Sequence, residues 1–226
     1  MKKRWYFIPT FLFIICFLSA IIIRPSFQHD ESKIYDYDFE TVNSLNTVSQ
    51  EFQTKDTQKI AQRLIEESDL IIKGVYDGNR IITGQGFYTP VKVTQVLKGD
   101  KKQEGQMINL LEEETIFTFT KYINTGGLAY IPIQKNQEYL LLLKKAKFDS
   151  NRQLTSFERS QYYPITQTAA GAYRISGNKQ TKVFNWDKKR ECLNSLTGYD
   201  LPVQDSKELD FYYNIKDNVF QSLHVS

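Results

Sequence analysis

The stretch Val91–Asp100 reads VKVTQVLKGD, a run of alternating apolar residues that stops abruptly at a Lys-Gly-Asp tripeptide. Val91 and Val93 share one face of the predicted strand, whereas Val96 takes the opposite phase. A one-residue slip of this kind around Gln95 is typical of a β-bulge in a strongly coiled strand, although an apolar run buried on both sides gives a similar pattern. Both interpretations make this stretch a strand of the core.

The tripeptide Lys98-Gly99-Asp100 that ends this strand has two interpretations. Gly99 provides a permissive backbone and Asp100 can bond its own chain, which favours a turn into the next strand. A displayed Gly-Asp tip would instead serve adhesion to a partner. We expect the turn, because another apolar run begins at Gln106.

Several short apolar runs on either side of this strand are bounded by turn signals, and no helix is predicted between them. An apolar run at Leu70–Tyr76 precedes it and is followed by the turn Asp77-Gly78-Asn79. Strands are also predicted at Gln106–Glu112, Thr115–Thr120, Glu138–Lys144, Tyr162–Ile165 and Ala172–Ile175. This spacing indicates an antiparallel sandwich or barrel rather than alternating β and α units.

Three helices are predicted outside the strand region. Apolar residues recur at helical spacing from Thr57 to Asp69, and Asn185 is a candidate cap for a second helix that ends near Gly198. Asp205 with Glu208 forms a capping-box pattern at the start of the third helix. Its stripe has a period near 3.6 and consists of Leu209, Tyr212, Tyr213, Lys216, Val219, Phe220 and Leu223.

The chain begins with the basic residues of Met1–Arg4, followed by the uncharged apolar run Trp5–Ile23. This run comes close to the roughly 20 residues that a helix needs to cross a bilayer. Because a cut after Ala20 would place Leu18 where signal peptidase prefers a small residue, a retained signal-anchor is favoured over cleavage and secretion. The basic residues before the span place the N-terminus in the cytoplasm and the rest of the chain outside the cell membrane.

The formal net charge of +3 belongs largely to this N-terminal segment. Lys2, Lys3, Arg4 and Arg24 account for four of the 29 basic residues, which leaves 25 basic against 26 acidic residues beyond it. The exterior part is therefore close to neutral. It lacks the electrostatic footprint of a nucleic-acid-binding protein, so no nucleic-acid partner is expected.

The order of segments resembles a group of mostly uncharacterised cell-surface proteins of Gram-positive bacteria. The resemblance rests on SDLIIKGVY, FYTPVKVTQVLKGD, EGQMINLLEE, IPIQKNQEYLLLLKK and YYPITQTAAGAYRI, and it spans Ile60–Ser176. It implies a fold similar to the netrin-like OB barrel of metalloproteinase inhibitors. Two departures limit it to architecture and location. Asn136-Gln137 stands where the group usually carries Gly, and the exterior part has no Cys before Cys192 to chelate zinc as those inhibitors do.

These observations together predict a mainly β fold, an OB-like antiparallel barrel with flanking helices, plus one N-terminal transmembrane helix. Residues 1–24 form the cytoplasmic tip and the signal-anchor, and residues 25–56 form a stalk. Residues 57–176 form the barrel domain, and residues 177–226 form a C-terminal helical extension that packs on the barrel.

No recognisable catalytic or metal motif is present in the sequence. The two histidines, His29 and His224, lie near the ends of the exterior part, and Cys192 has no histidine near it in the sequence. The acidic run Glu112–Glu114 is expected to be a solvated strand end, since only alternate residues of a strand converge. We therefore expect no catalytic residues, no metal and no cofactor. A hydrolase acting on the envelope through a carboxylate pair that spacing does not reveal stays open as an alternative.

The function that remains is a membrane-anchored binding module of the bacterial cell envelope. The membrane contact is assigned to Trp5–Ile23, and the partner is an envelope polymer or a surface protein. OB barrels bind ligands through one sheet face and two loops, which we place at Asp77–Gly86 and Lys121–Tyr130. The predicted ligand-binding residues are Asn79, Arg80, Tyr122 and Tyr130, and Tyr199 is a further aromatic candidate outside the strands.

Overall fold

The structure, a computed structural model, describes residues 13, 16, 17, 35–40, 54–83, 86–113, 115–117, 122–124, 131–149, 151–166, 169–184 and 191–225. The strands of this part are β1 (Asp38–Glu40), β2 (Leu70–Tyr76), β3 (Ile81–Thr83), β4 (Gly86–Lys98), β5 (Met107–Glu113), β6 (Thr115–Phe117), β7 (Tyr122–Asn124), β8 (Glu138–Lys145), β9 (Gln161–Pro164), β10 (Ala172–Arg174) and β11 (Glu191–Cys192). The α-helices are α1 (Thr57–Glu67), α2 (Ser156–Arg159) and α3 (Ser206–Ser222). Short 3-10 helices lie at Lys101–Gln103, Ala169–Gly171 and Leu193–Leu196.

Five of these strands close into a barrel in the order β2, β4, β5, β9 and β8, and β8 pairs again with β2. Four of the five pairings are antiparallel, and only β5 and β9 run parallel. The small strand β3 pairs with the first half of β4, and β10 pairs with β8 beside β9. The fold is therefore mainly β with an OB-like barrel, as the sequence predicts.

The bulge predicted around Gln95 is confirmed, and it consists of two irregularities. The pairing of β2 with β4 skips one residue on each side of Gln95, namely Thr94 and Leu97. The skip at Thr94 changes the phase of β4 between Val93 and Val96, so these two residues are 1% and 0% exposed although they stand three residues apart. A bulge bends its strand and increases the local twist, which helps a strand of 13 residues to wrap around a small barrel.

The turn at the end of β4 is structural. Gly99 has φ +104°, and a Cβ at this position would lie 2.9 Å from the carbonyl oxygen of Asp69. Asp100 accepts a hydrogen bond from the backbone N–H of Lys102 at 3.0 Å and caps the 3-10 helix Lys101–Gln103. Both residues therefore have the roles that the turn interpretation requires.

Two helices cover the barrel core. Helix α1 begins after the cap Asp56 and buries Ile60, Ala61 and Leu64, as its periodicity predicts. Helix α3 begins after the cap Asp205 and packs against α1. It buries Leu209, Tyr212, Tyr213, Ile215 and Val219 in the same apolar cluster as the barrel strands.

A second, smaller sheet has the strand order β11, β1, β7, β6. The helix predicted after Asn185 is wrong from Glu191 onward, because Glu191 and Cys192 form β11 and pair antiparallel with β1. A 3-10 helix follows and places Leu193 and Leu196 in a second apolar cluster, where they are 4% and 0% exposed. Burial of both leucines against this sheet overrides the weak helical pattern.

Of the predicted membrane span Trp5–Ile23, only Phe13, Cys16 and Phe17 belong to the described residues, and all three are helical. In the part of the chain that the structure describes, no helix combines the length and apolar character of a membrane span. The predicted stalk is described only at residues 35–40 and 54–56.

Candidate functional site

The loop between β2 and β3 carries two of the predicted ligand-binding residues. Asn79 is exposed and has φ +67°, a conformation that Asn tolerates better than most residues. Arg80 instead points inward, and the residue is only 5% exposed. The structure therefore leaves Asn79 at the loop surface and places Arg80 inside the barrel domain.

Arg80 forms a buried ion pair with Glu112 of β5. Its Nη2 atom lies 3.2 Å from Glu112 Oε2 and also donates to the carbonyl oxygen of Ile133 at 2.6 Å, while Nε donates to Thr89 Oγ1 at 2.8 Å. The Thr89 hydroxyl donates to Glu112, and the backbone N–H of Ile133 donates to Glu112 Oε1 at 2.7 Å. The side chains of Arg80 and Glu112 are 1% and 0% exposed.

This geometry corrects two expectations. Glu112 is not part of a solvated strand end, because a buried arginine, a hydroxyl and a peptide N–H surround its carboxylate. Arg80 is not an exposed ligand-binding cation, because its buried guanidinium donates to Thr89, Glu112 and Ile133. The guanidinium also lies 4.7 Å from the ring centre of Tyr76 and 4.9 Å from that of Phe87. The pair joins the β2–β3 loop to β4, β5 and Ile133, which makes it a structural element of the barrel.

The structure brings three apolar side chains into register on the outer face of strands β3, β4 and β5. Tyr88 of β4 pairs with Ile81 of β3 on one side and with Leu111 of β5 on the other. Side chains of directly paired residues lie on the same face of a sheet. Ile81 is 51% exposed, and Tyr88 and Leu111 are half-buried. We call this row, with Phe157, the apolar stripe.

Phe157 extends the stripe from the loop between β8 and β9. Its ring meets that of Tyr88 edge to face at 5.3 Å between centroids, and the residue is 36% exposed. A capping box on helix α2 fixes this position, since Thr155 accepts from the N–H of Glu158 and Glu158 accepts from the N–H of Thr155. Arg152 also forms an ion pair with Glu158.

The rim of the stripe is mixed in character. Lys92 and Met107 pair across β4 and β5 on the same outer face, and both are exposed. Met107 is 47% exposed, which places a second apolar side chain further along β5. The charged groups on these elements are of both signs, since Lys92 is a cation and the Arg152–Glu158 pair carries one charge of each sign. The face thus combines an apolar centre with a polar edge.

The loops that flank this face differ in part from the predicted ones. The β2–β3–β4 connection is the predicted first loop. Counted along the chain, the five barrel strands are β2, β4, β5, β8 and β9. The second ligand loop of an OB barrel joins the fourth and fifth of these strands, which are β8 and β9 here. That loop is 146–160, whereas Lys121–Tyr130 falls between β5 and β8. Of the predicted second loop, only residues 122–124 belong to the described part of the chain, where they form β7, and the rest lies outside it.

The other predicted residues lie apart from the apolar stripe. Tyr122 belongs to β7 of the second sheet, and its side chain lies outside the described part, as does all of Tyr130. Tyr199 is half-buried and packs edge to face on Phe184 at 5.3 Å. Cys192 is half-buried in β11 with a free thiol.

Sequence reasoning missed the apolar stripe, although one signal for it is present. Alternation along β4 places Tyr88, Pro90 and Lys92 on the face opposite to Phe87 and Val91, so an outward tyrosine was predictable. The contact with Phe157 joins residues far apart in the sequence, and no local pattern indicates it.

The described residues contain no group of three or more His, Cys, Asp or Glu side chains that could hold a metal ion. The chemistry available at the stripe is therefore apolar and aromatic contact with a polar rim. Searches of protein-family models, of curated proteins and of solved structures find no match to this chain.

Proposed function

We propose that the chain is a non-catalytic binding module of the cell envelope, which holds a surface protein or an envelope polymer against the outer face of β3, β4 and β5. The observation that carries the proposal is the apolar stripe Ile81–Tyr88–Leu111 with Phe157, positioned between the two loops through which OB barrels bind. In this proposal Trp5–Ile23 anchors the module in the membrane and the barrel faces outward.

The energetics of the stripe support a partner contact. Burial of apolar surface contributes roughly 25 cal/mol of free energy for each Å² removed from water. The exposed side chains of the stripe gain this free energy when a partner covers them. An apolar patch with a polar rim is typical of a binding site. Tyr88 and Phe157 supply rigid aromatic area, which suits both the face of a sugar ring and an apolar side chain of a polypeptide.

The buried carboxylates support a non-catalytic role. Glu112 is held by Arg80, and Asp200 is held by Arg174 with its Oδ1 3.0 Å from the arginine Nε. A glycosidase needs two carboxyl groups across a cleft, at least one of them free to donate a proton to the substrate. Both of these side chains are instead committed to arginine partners inside the fold, which weakens the alternative of an envelope hydrolase.

The proposal is tested with the full chain in lipid nanodiscs, incubated separately with purified cell-wall polymer and with solubilised envelope proteins. The test variant combines Ile81→Ser and Phe157→Ser, which removes exposed apolar area from the stripe without opening the core. The matched control is Val183→Ser, because Val183 is also an exposed apolar residue, 39% exposed, but lies in the C-terminal extension.

We expect one of the two fractions to be retained by the wild type and by the Val183 variant, with at least tenfold lower retention by the double variant. Equal retention by all three proteins, or by none, contradicts binding through the stripe. Circular dichroism of each variant establishes that the fold is intact.

A further inference from the structure

The apolar stripe is one end of a longer surface along the outer side of β4. This strand turns every second residue outward, namely Tyr88, Pro90 and Lys92, whereas Thr89 and Val91 between them are fully buried. Successive outward residues of a strand stand about 7 Å apart, so the row of Tyr88 and the row of Lys92 are separated by about 14 Å. A ligand that follows β4 therefore meets both rows.

The row at the far end of this surface places one cation between two apolar side chains. Lys92 pairs with Val75 of β2 on one side and with Met107 of β5 on the other. Side chains of directly paired residues share a face of the sheet. Lys92 and Met107 are exposed and Val75 is half-buried, so a partner that lies on the stripe and continues along β4 covers this row as well. We call Val75, Lys92 and Met107 the lysine row.

The charge of Lys92 is not compensated by the strands around it. The carboxylate that continues its row belongs to Glu138 of β8, which pairs with Val75 from the other side and so stands two strands, about 10 Å, from Lys92. Glu138 Oε1 accepts instead from Thr94 Oγ1 at 2.8 Å. Among the described residues Lys92 forms no ion pair. A cation that a partner covers loses its water, and a carboxylate on the partner compensates this loss.

The side chains along this surface suit a polypeptide better than a glycan. The middle row consists of Pro90, which has no N–H, and Asn109, whose side-chain amide donates to Ser160 Oγ at 2.7 Å. A sugar presents hydroxyl groups that lose water on binding, and each needs a new hydrogen bond. The aliphatic side chains of Ile81 and Leu111 beside Tyr88 supply none. Apolar side chains of a polypeptide are covered by the same surface without this cost.

We propose that the occupant of this surface is an extended polypeptide segment, with an apolar residue on the pair of Tyr88 and Phe157 and an acidic residue on Lys92. This inference rests on the proposed function, since it specifies the partner of the same face. An extended chain turns every second side chain to one side at the spacing of the outward residues of β4. The apolar and the acidic residue therefore stand four positions apart in the partner, as Tyr88 and Lys92 do in β4.

The experiment measures dissociation constants by saturation-transfer NMR with the full chain in zwitterionic nanodiscs. The probes are the blocked peptides Thr-Leu-Thr-Val-Thr-Glu-Thr and Thr-Glu-Thr-Val-Thr-Leu-Thr, which offer both chain directions. In the control peptide Thr-Leu-Thr-Val-Glu-Thr-Thr the acidic residue lies on the opposite side of an extended chain. The test variant is Lys92→Glu. Its matched control is Lys207→Glu, because Lys207 is also exposed but belongs to α3, which contributes no residue to these rows.

We expect saturable binding of at least one probe to the wild type and to Lys207→Glu, and about tenfold weaker binding to Lys92→Glu, because an attraction becomes a repulsion. A probe with Lys in place of Glu is expected to show the reverse preference. Equal binding of the control peptide, unchanged affinity of Lys92→Glu, or no binding of either probe overturns the inference.

A tetrasaccharide of N-acetylglucosamine serves as the glycan probe. Tighter binding of this probe than of the peptides assigns the face to an envelope glycan and overturns the inference, while the proposed function stands. Retention of an envelope fraction through the stripe without peptide binding has the same meaning. Failure of the wild type to retain either fraction contradicts the proposed function itself, so the two failures are distinguishable.

Discussion

Replacing Arg80 with Met is expected to destabilise the barrel severely. The substitution keeps the length of the side chain but leaves Glu112 buried, with a side chain 0% exposed and no cation beside it. Removing one partner of a buried ion pair costs about 3–5 kcal/mol. At about 2–4 °C per kcal/mol for a domain of this size, the melting temperature falls by about 6–20 °C.

The matched control is Arg63→Met on helix α1. Arg63 also pairs with a glutamate, Glu67, at 2.5 Å, but the two side chains are 53% and 40% exposed. An exposed pair contributes about 0–1 kcal/mol, so this variant is expected to melt within a few degrees of the wild type. The contrast between the two arginines isolates the effect of burial from that of charge.

The assay is thermal unfolding of the full chain in a mild nonionic detergent, followed by far-ultraviolet circular dichroism. Glu112→Leu combined with Arg80→Met is expected to recover about 2 kcal/mol relative to the sum of the single changes, because no uncompensated charge remains. The recovery is partial, since the peptide groups of Ile133 still lose their partners. A cost below 1 kcal/mol for Arg80→Met, or zero coupling in the double variant, refutes the assignment of this pair as a structural element.

Three further changes test individual elements of the fold, each measured by the same thermal unfolding. Gly99→Val is expected to cost at least about 2 kcal/mol of stability, because Gly99 has φ +104° and a Cβ there would lie 2.9 Å from Asp69 O. Asp100→Glu is expected to leave folding largely intact. Equal losses of stability in the two variants contradict the turn. Gly74→Ala is expected to cost about 1–3 kcal/mol, since its Cβ would lie 2.6 Å from Val91 Cγ1 where β2 and β4 approach closely, and a neutral effect argues against the bulged pairing. Asp205→Ala removes the cap of α3 and is expected to cost about 1 kcal/mol, and no change would mean that the cap is dispensable.

Much of the barrel was predictable because its signals are local. The helix that buries Ile60 and Leu64, the strand Leu70–Tyr76 and the slip around Gln95 each appear in the sequence as a period or a break in a period. Strand pairing is less local, yet the absence of helices between the predicted strands was enough to favour an antiparallel sandwich or barrel. Closure through the parallel pair of β5 and β9 joins residues about 50 positions apart and was not predictable from the pattern.

The candidate sites were harder to predict, since each depends on contacts between distant segments. Arg80 has the sequence context of an exposed turn residue, and only the fold places Glu112 and Ile133 beside it. Tyr88 and Phe157 meet because helix α2 lies in the loop between β8 and β9. The helix predicted after Asn185 shows the opposite error, because a local pattern is overridden there by pairing with β1.

Photo-crosslinking in living cells tests the central claim, binding through the apolar stripe, most directly. A photoreactive amino acid replaces Ile81, which is 51% exposed, and in a second strain it replaces Val183, which is 39% exposed. The proposed function predicts one dominant adduct from position 81, which disappears when Phe157→Ser is added, and no such adduct from position 183. Absence of an adduct from position 81, or the same adduct from both positions, contradicts it.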